Sequence, residues 1–348
     1  MNEYSHLDSM TTTPKGSDPR KDATIRAIQK RDVDNVIEMH RLVGAPVDAE
    51  TVRSWCRESP YSRRLVAEMD GRAVGKVTLD TAYPPYSELV NLMVHPEHRR
   101  IGVANLLVQG CLKAAGTRNC PVTLLMTDPE NTPAITLYAR NGFLTCIPGG
   151  LGEREYAWMM HLPEDSVAGR FKREHPSCRF MPSRGRTLFH ERPLYEMLWK
   201  DPGTDSLLGL LLEGQPGQPM RGGTAPRIAA ATIKDGTRSV DLLIQEEQET
   251  IEAGTDARFQ LLTVNQGEED IMIEEIGRLH PKGVRMSEES KPPTTIKPGA
   301  EAVTRFTAGL DHDFDVPVLS FATVLLTLSV KIRGIEPPVL VTAGFERG

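Results

Sequence analysis

Apolar positions along the first 163 residues recur in two alternating rhythms. Asp32 to Leu42 sets Val33, Val36, Ile37 and Met39 at helical spacing, and a second helix opens at Asp48 or Ala49 and runs through Trp55 and Cys56. Gly102 to Ala115 carries Val103, Leu106, Leu107, Cys111, Leu112 and Ala115 on one helical face, and Thr132 to Arg140 reads as another helix. Strand patterns lie between and around them: Ala23 to Gln29, Arg64 to Met69, Val74 to Leu79, Glu88 to Val94, Pro121 to Met126, Leu144 to Ile147 and Tyr156 to His161. Asp70-Gly71 supplies the turn of a hairpin between the second and third of these. The alternation predicts a mixed α/β unit over 24–163, with helices flanking a central sheet.

The pattern then breaks. Residues 164–226 predict a basic connector and linker: Gly169 to Arg192 holds seven Lys and Arg among Pro and Gly, Leu188 to Leu212 reads as a short helical bridge, and Gln215 to Pro226 reads as flexible. From 227 to 348 the period changes to that of short strands, as at Thr237 to Glu246, Ala257 to Asn265, Asp270 to Ile276, Ala302 to Ala308, Leu319 to Val330 and Val339 to Ala343. Successive strands without helices predict an all-β, immunoglobulin-like sandwich. That expectation rests on rhythm alone, because the stretch contains neither Cys nor Trp.

Composition narrows the classes. The chain has 348 residues and net charge −6, and residues 223–348 carry 13 basic against 20 acidic groups, so the excess acidity sits in the last third and argues against nucleic acid as a partner. No apolar run suits a membrane helix, since Pro317 to Ile332 is interrupted by Ser and Thr. Residues 1–23 read as a polar, disordered tail without a secretion signal. Five cysteines, none in CxxC spacing, predict neither a disulfide framework nor a metal site, and suit a cytoplasmic location. Asp311 to Asp315 starts like a calcium loop but has Val316 in place of the loop glycine, so a solvated turn is expected.

The chemistry concentrates in Glu88 to Leu107. An apolar strand ends at Val94, and Arg99-Arg100-Ile101-Gly102-Val103-Ala104 opens a helix. A helix start leaves backbone N–H groups unpaired and carries the positive end of the helix dipole, which suits a pyrophosphate. Gly102 and Ala104 are small enough for close approach to the main chain, and Arg99 and Arg100 add positive charge. Downstream, Asn131-x-x-Ala134-x-x-Leu137-Tyr138-x-x-x-Gly142-Phe143 puts Ala134, Leu137 and Tyr138 on one helical face before a glycine stop.

With these two patterns in this order, residues 24–163 resemble the GNAT superfamily of acyl-CoA-dependent N-acyltransferases. The loop matches the family's R/Q-x-x-G-x-G/A pattern at Arg99 to Ala104, and the second segment matches from Asn131 to Phe143 without a gap. The resemblance implies the α/β GNAT fold, acetyl-CoA or a related acyl-CoA as co-substrate, and a primary amine as acceptor, either a small molecule or a protein. It assigns the pyrophosphate to Arg99, Arg100, Ile101, Gly102, Val103 and Ala104, and the pantetheine arm to the splayed strand at Leu92, Met93 and Val94. Asn131 would bind the coenzyme arm, and Tyr138 would protonate the departing thiolate.

The base is left between several groups. Glu88 lies eleven residues before Arg99, as a base does in the histone-acetylating branch, and its apolar neighbours Leu89 and Val90 suit a raised pKa. His95 also titrates near the cleft, Asp128 touches substrate or caps the next helix, and a water chain is the remaining route. Trp55 either shapes the acceptor cleft or belongs to the core. The second body encloses the acceptor site, mediates a homodimer or docks a macromolecule. The rival functions are an inactive CoA-binding sensor or scaffold and transfer of an unusual acyl group.

Overall fold

The computed structural model describes residues 23–150, 155–217, 224–289, 294–316 and 323–348. Residues 1–22 of the expected tail, the middle of the expected linker and the first six residues of the apolar stretch from Pro317 lie outside the described residues.

The first part of the chain runs β1 (Thr24–Ala27), α1 (Val33–Leu42), α2 (Ala49–Trp55), β2 (Ser62–Met69), β3 (Arg72–Tyr83), β4 (Tyr86–Val94), α3 (Val103–Thr117), β5 (Val122–Thr127), α4 (Thr132–Arg140), β6 (Phe143–Ile147) and β7 (Ala157–His161). Among the described residues these strands make one sheet in the order β1-β2-β3-β4-β5-β7-β6. It is parallel between β4 and β5 and antiparallel elsewhere. The α3 side chains Val103, Leu107 and Cys111 pack with Val77, Leu79 and Leu89 on one face. Gly75 permits this approach, because a Cβ there would stand 3.0 Å from both Val103 Cγ1 and Leu107 Cδ1. On the other face α1 and α2 bury Val36, Met39 and Val52 against Val66 and Ala73.

The expectation for 164–226 is corrected by the structure. That stretch carries α5 (Val167–Glu174) and then β8 (Arg179–Met181), β9 (Arg186–Phe189), β10 (Arg192–Lys200) and β11 (Leu207–Glu213). The physical reason lies in Leu207 to Leu212. A continuous apolar run is ambiguous between a helix and a strand buried on both faces, and here it pairs with β10 and with β12 (Arg227–Asp235). The basic residues around it are spread over α5 and the sheet edge. Arg170 reaches Glu174, while Arg192 and Arg227 converge on Glu213 and Glu246.

The remaining strands are β13 (Arg238–Glu246), β14 (Thr250–Ile251), β15 (Asp256–Asn265), β16 (Ile271–Leu279), β17 (Val284–Glu288), β18 (Thr295–Ile296), β19 (Glu301–Leu310), β20 (Thr323–Ile332) and β21 (Ile335–Arg347). One sheet runs β17-β19-β15-β13-β12-β11-β10-β8, with β9 also on β10, and the other runs β14-β21-β20-β16-β18. β21 lies against β12 and β13, so the two sheets face each other.

Both sheets share their core with the first one. Ala82, Tyr83, Tyr86, Trp158 and Met160 belong to the same buried cluster as Leu212, Ile228, Val341 and Ala343. The Tyr86 hydroxyl accepts from Ile228 N at 3.0 Å and shares a 3.0 Å hydrogen bond with Thr342 Oγ1, which in turn meets Thr327 Oγ1 at 2.9 Å. Trp158 Nε1 donates to Gln215 O at 2.9 Å. Removing the Tyr86 hydroxyl leaves a buried donor at Ile228 without its acceptor, which costs about 1–3 kcal/mol. Tyr86→Phe is therefore expected to lower the urea midpoint with an unchanged m value, and an unmoved midpoint would show that this bond does not fasten the two parts.

Candidate functional site

The site grows from an interrupted strand pair. β4 pairs with β5 only at Tyr86↔Val122, Ser87↔Thr123 and Glu88↔Leu124. Both strands continue, β4 to Val94 and β5 to Thr127, yet among the described residues they make no further rung. β4 stays paired with β3 on its other edge, through an irregularity between Thr78↔Val90 and Lys76↔Met93. Asn91 sits in that irregularity at φ 55°, a left-handed conformation that Asn adopts more readily than most residues. The splay leaves the β4 backbone from Leu89 to Val94 with an edge facing a wedge-shaped gap. Such an edge pairs readily with an extended ligand that offers amides.

The mouth of the gap leads to the start of α3. Gly102 is the residue before the helix, at φ 95°, and Arg100 has φ 64°. Gly102 has no capping side chain, so the first-turn N–H groups of α3 face outward until Leu106 N closes on Gly102 O at 3.1 Å. Arg99 Nε donates to Val94 O at 3.2 Å and ties this loop to the end of the open strand. Arg100 is exposed, Ile101 packs on the α3 cluster, Val103 is buried and Ala104 is half-buried. The strand residues Leu92 to Val94 and the loop residues 99 to 104 are thus brought together.

Tyr138 arrives from α4. It is 8% exposed and shares a cluster with Leu89, Leu92, Val94, Ile101 and Val103, its ring meeting Phe143 edge-on with centroids 5.8 Å apart. Burial, followed by the nearby Cys111 thiol, pushes its hydroxyl up to about 12. Asn131 lies at the other end of α4, exposed, with Oδ1 accepting from Ala134 N at 3.2 Å. Its carbonyl is thereby used as a helix cap, and its NH2 is the part left to meet a ligand. Asn141 Nδ2 donates to Asn105 Oδ1 at 2.9 Å and anchors α4 to the first turn of α3. Asp128 is exposed and accepts from Glu130 N at 2.8 Å, holding the turn before α4.

The opposite face of the sheet carries a row of titratable groups. Glu88 is 1% exposed and directly cross-strand from Asp80. Burial pushes the Asp80 carboxyl up to about 6, against an opposing contribution from Arg64. Further along β3, Lys76 is buried and its Nζ donates to His40 Nε2 at 3.0 Å. The same ammonium lies 4.2 Å from the centroid of Trp55. Burial pulls Lys76 down to about 8, and burial also lowers His40, whose Nδ1 contacts Ala45 O at 2.8 Å.

The sequence reading passed over Asp80, Lys76 and His40. The available signal was a charge at alternate positions of an apolar strand, Lys76 and Asp80 in KVTLD, where the period puts both on one face. His95 is displaced to the turn after β4, where its ligand-capable atoms and those of Glu97 and His98 lie within 4.8 Å of one another. The guanidinium groups of Arg99 and Arg100 follow directly and oppose a cation at that turn.

Residues 34–143 match the Acetyltransferase (GNAT) family. The chain is 34% identical over 77 residues to streptothricin acetyltransferase of Escherichia coli, a match covering 22% of this chain and 44% of that protein. It therefore spans less than half the length of that relative. Over 98 residues it is 35% identical to an acetyltransferase of Pectobacterium atrosepticum, covering 26% of this chain and 68% of the other. The crystal structure of PaiA N-acetyltransferase from Thermoplasma acidophilum in complex with coenzyme A is similar at 18% identity and a TM-score of 0.32, covering 40% of this chain and 99% of that one.

Proposed function

Since the chain belongs, through residues 34–143, to the acetyltransferase (GNAT) family, we propose that it moves an acetyl or related acyl group from acyl-CoA to a primary amine by direct attack through a tetrahedral intermediate. The observation that carries this reading is the three-rung β4–β5 pair, which opens onto a helix start at Gly102.

In this reading the pyrophosphate rests on the first-turn N–H groups of α3, with Arg99 and Arg100 beside it. The pantetheine amides pair with Leu92 to Val94, and backbone N–H groups of the open edge polarise the thioester carbonyl. Asn131 offers its NH2 to the coenzyme arm. The acceptor approaches the face that carries Asp80 and Glu88, where two carboxyl groups draw in a cationic amine and take its proton. Tyr138 returns a proton to the leaving sulfur. Residues 24–163 form the transferase unit. The C-terminal sheets, read as the layers of a sandwich, close the acceptor side through the Tyr86 contacts. Among the described residues no helix is long and apolar enough to cross a membrane.

Calorimetric titration with acetyl-CoA, followed by thiol release across an amine panel, tests the proposal. Saturable binding with amine-dependent release supports it. Binding without release on any amine turns the reading toward a sensor, and absence of binding removes it. A second expectation concerns pH. With the Asp80 carboxyl at about 6, the base is protonated and idle below that pH, so kcat/KM should fall on the acid side with a midpoint near 6. Asp80→Asn should flatten this limb and Glu88→Gln should shift it. A limb untouched by both places the base elsewhere.

A further inference from the structure

We propose that the amine acceptor is an α-amino acid and that Arg64 selects it, the guanidinium holding the acceptor's carboxylate while Asp80 and Glu88 face its ammonium. The inference rests on the acyl-CoA reading above and names the substrate class of that site. The strand register carries it. Arg64 of β2 stands opposite Thr78 of β3, and Thr78 stands opposite Val90 of β4. The next row on the same face is Ser62, Asp80, Glu88 and Leu124. Among the described residues Glu88↔Leu124 is the last rung before β4 and β5 part, so the row from Arg64 ends on Val90 at the start of the opening.

Both rows lie on the side of the sheet away from α3. Leu65, Leu79 and Leu89, at the alternate positions, pack into the α3 cluster. The two rows are about 7 Å apart along the strands. One end of this patch is closed by Val66 and Lys76, buried beneath α1 and α2. The other is closed by Tyr86 and Leu124, buried in the core shared with the C-terminal sheets. Arg64, Thr78, Asp80 and Val90 in between are half-buried. An opening two rows high admits a small molecule and excludes the surface of a folded protein.

Charge then picks the molecule. Arg64 and Asp80 are diagonal neighbours, a relation that sets residues about 7–8 Å apart, and their charges act on each other. Yet among the described residues neither side chain makes a hydrogen bond or an ion pair, with the other or with a third group. The other half-buried arginines of residues 23–161 are satisfied, Arg26 by Asp32 and Glu68, and Arg118 by Ser59 O, Pro60 O and Thr81 Oγ1. A half-buried guanidinium with unused donors gains most from a planar carboxylate, which its fork meets with two hydrogen bonds. A diamine would set its second positive charge against Arg64, and a simple amine would leave the fork empty. An α-amino acid carries both charges on one carbon and bridges the separated Arg64 and Asp80.

The step balances with the groups already in place. The amine nitrogen bonds to the thioester carbonyl carbon, the C–S bond breaks, and the products are an N-acyl amino acid and the CoA thiol. Of the two protons the nitrogen gives up, one passes through Asp80 to solvent and the other replaces the proton that Tyr138 lends to sulfur.

The test measures thiol release by the full chain with acetyl-CoA and a panel of L-α-amino acids, each beside its own carboxamide, together with diamines. The carboxamide keeps the shape and the amine and removes the negative charge. On the best amino acid kcat/KM should exceed that on its amide at least tenfold, and Arg64→Met should bring the two within twofold. Arg64→Lys keeps the charge without the fork and should retain part of the preference. Acetyl-CoA affinity within twofold of the parent shows that each variant is folded. An amide or a diamine used as well as any amino acid overturns the inference, and so does a preference that survives Arg64→Met. Acetyl-CoA binding without release from any amino acid sinks the inference and leaves the acyl-CoA reading standing, whereas absence of binding removes both.

Discussion

Gly102→Glu should weaken acetyl-CoA binding at least a hundredfold in a calorimetric titration, while the melting temperature moves by only a few degrees. Two effects combine. Gly102 has φ 95°, where a side chain costs about 1–3 kcal/mol of strain, and the strain falls on the residue that aims the first-turn N–H groups of α3. The new carboxylate would also stand at the positive end of the helix, in the place of the pyrophosphate, and repel it. A hundredfold loss corresponds to about 2.7 kcal/mol, within reach of these two terms. Gly102→Ala separates them, since it carries the strain without the charge and should lose much less. Affinity retained in the Glu variant would remove the phosphate site from this loop.

Tyr138→Phe should cut kcat by about 10²–10⁴-fold and leave the affinity for acetyl-CoA within twofold of the parent, the range expected when a general acid is removed. The asymmetry follows from the packing. The ring keeps its edge-on contact with Phe143 and its place in the α3 cluster, so the substitution deletes only a hydroxyl. With that hydroxyl pushed up to about 12, it stays protonated throughout the working range and serves as a donor at any pH below that value. Rapid-quench or thiol-release kinetics at saturating coenzyme reads kcat directly. An unchanged kcat would return Tyr138 to the role of a core aromatic.

The transferase half was legible because its signals are local and bound to backbone geometry. Gly102 before a helical run, Asn131 at a helix start and Asn141-Gly142 at its stop each specify a conformation, and the structure has all three. The row of buried titratable groups on the other face of the sheet was less legible. Glu88 was picked out by its spacing from Arg99, but its neighbour Asp80 is found only once the β3–β4 register is known, and that register depends on the irregularity between Asp80 and Tyr83. Lys76 and His40 lie 36 residues apart and meet through the fold of α1 onto β3. The region after 164 misled for a different reason. Its Arg, Pro and Gly content suggested a connector, whereas strand β11 buries Leu208, Leu210, Leu211 and Leu212 between two neighbours that lie before and after it in the chain. Composition reports solubility of a segment and is silent on what pairs with it.

The shared core around Tyr86 and Trp158 sets an order of events during synthesis. The first sheet is complete in sequence once His161 has been made, but the side chains that cover Tyr83, Tyr86 and Trp158 come from as late as Val341 and Ala343. At ribosomal rates of about 5–20 residues per second, that interval lasts roughly 10–40 s. Throughout it, the nascent first sheet shows a bare apolar face to solvent or to whatever chaperone meets it. The last strand of the chain is the one that seals it.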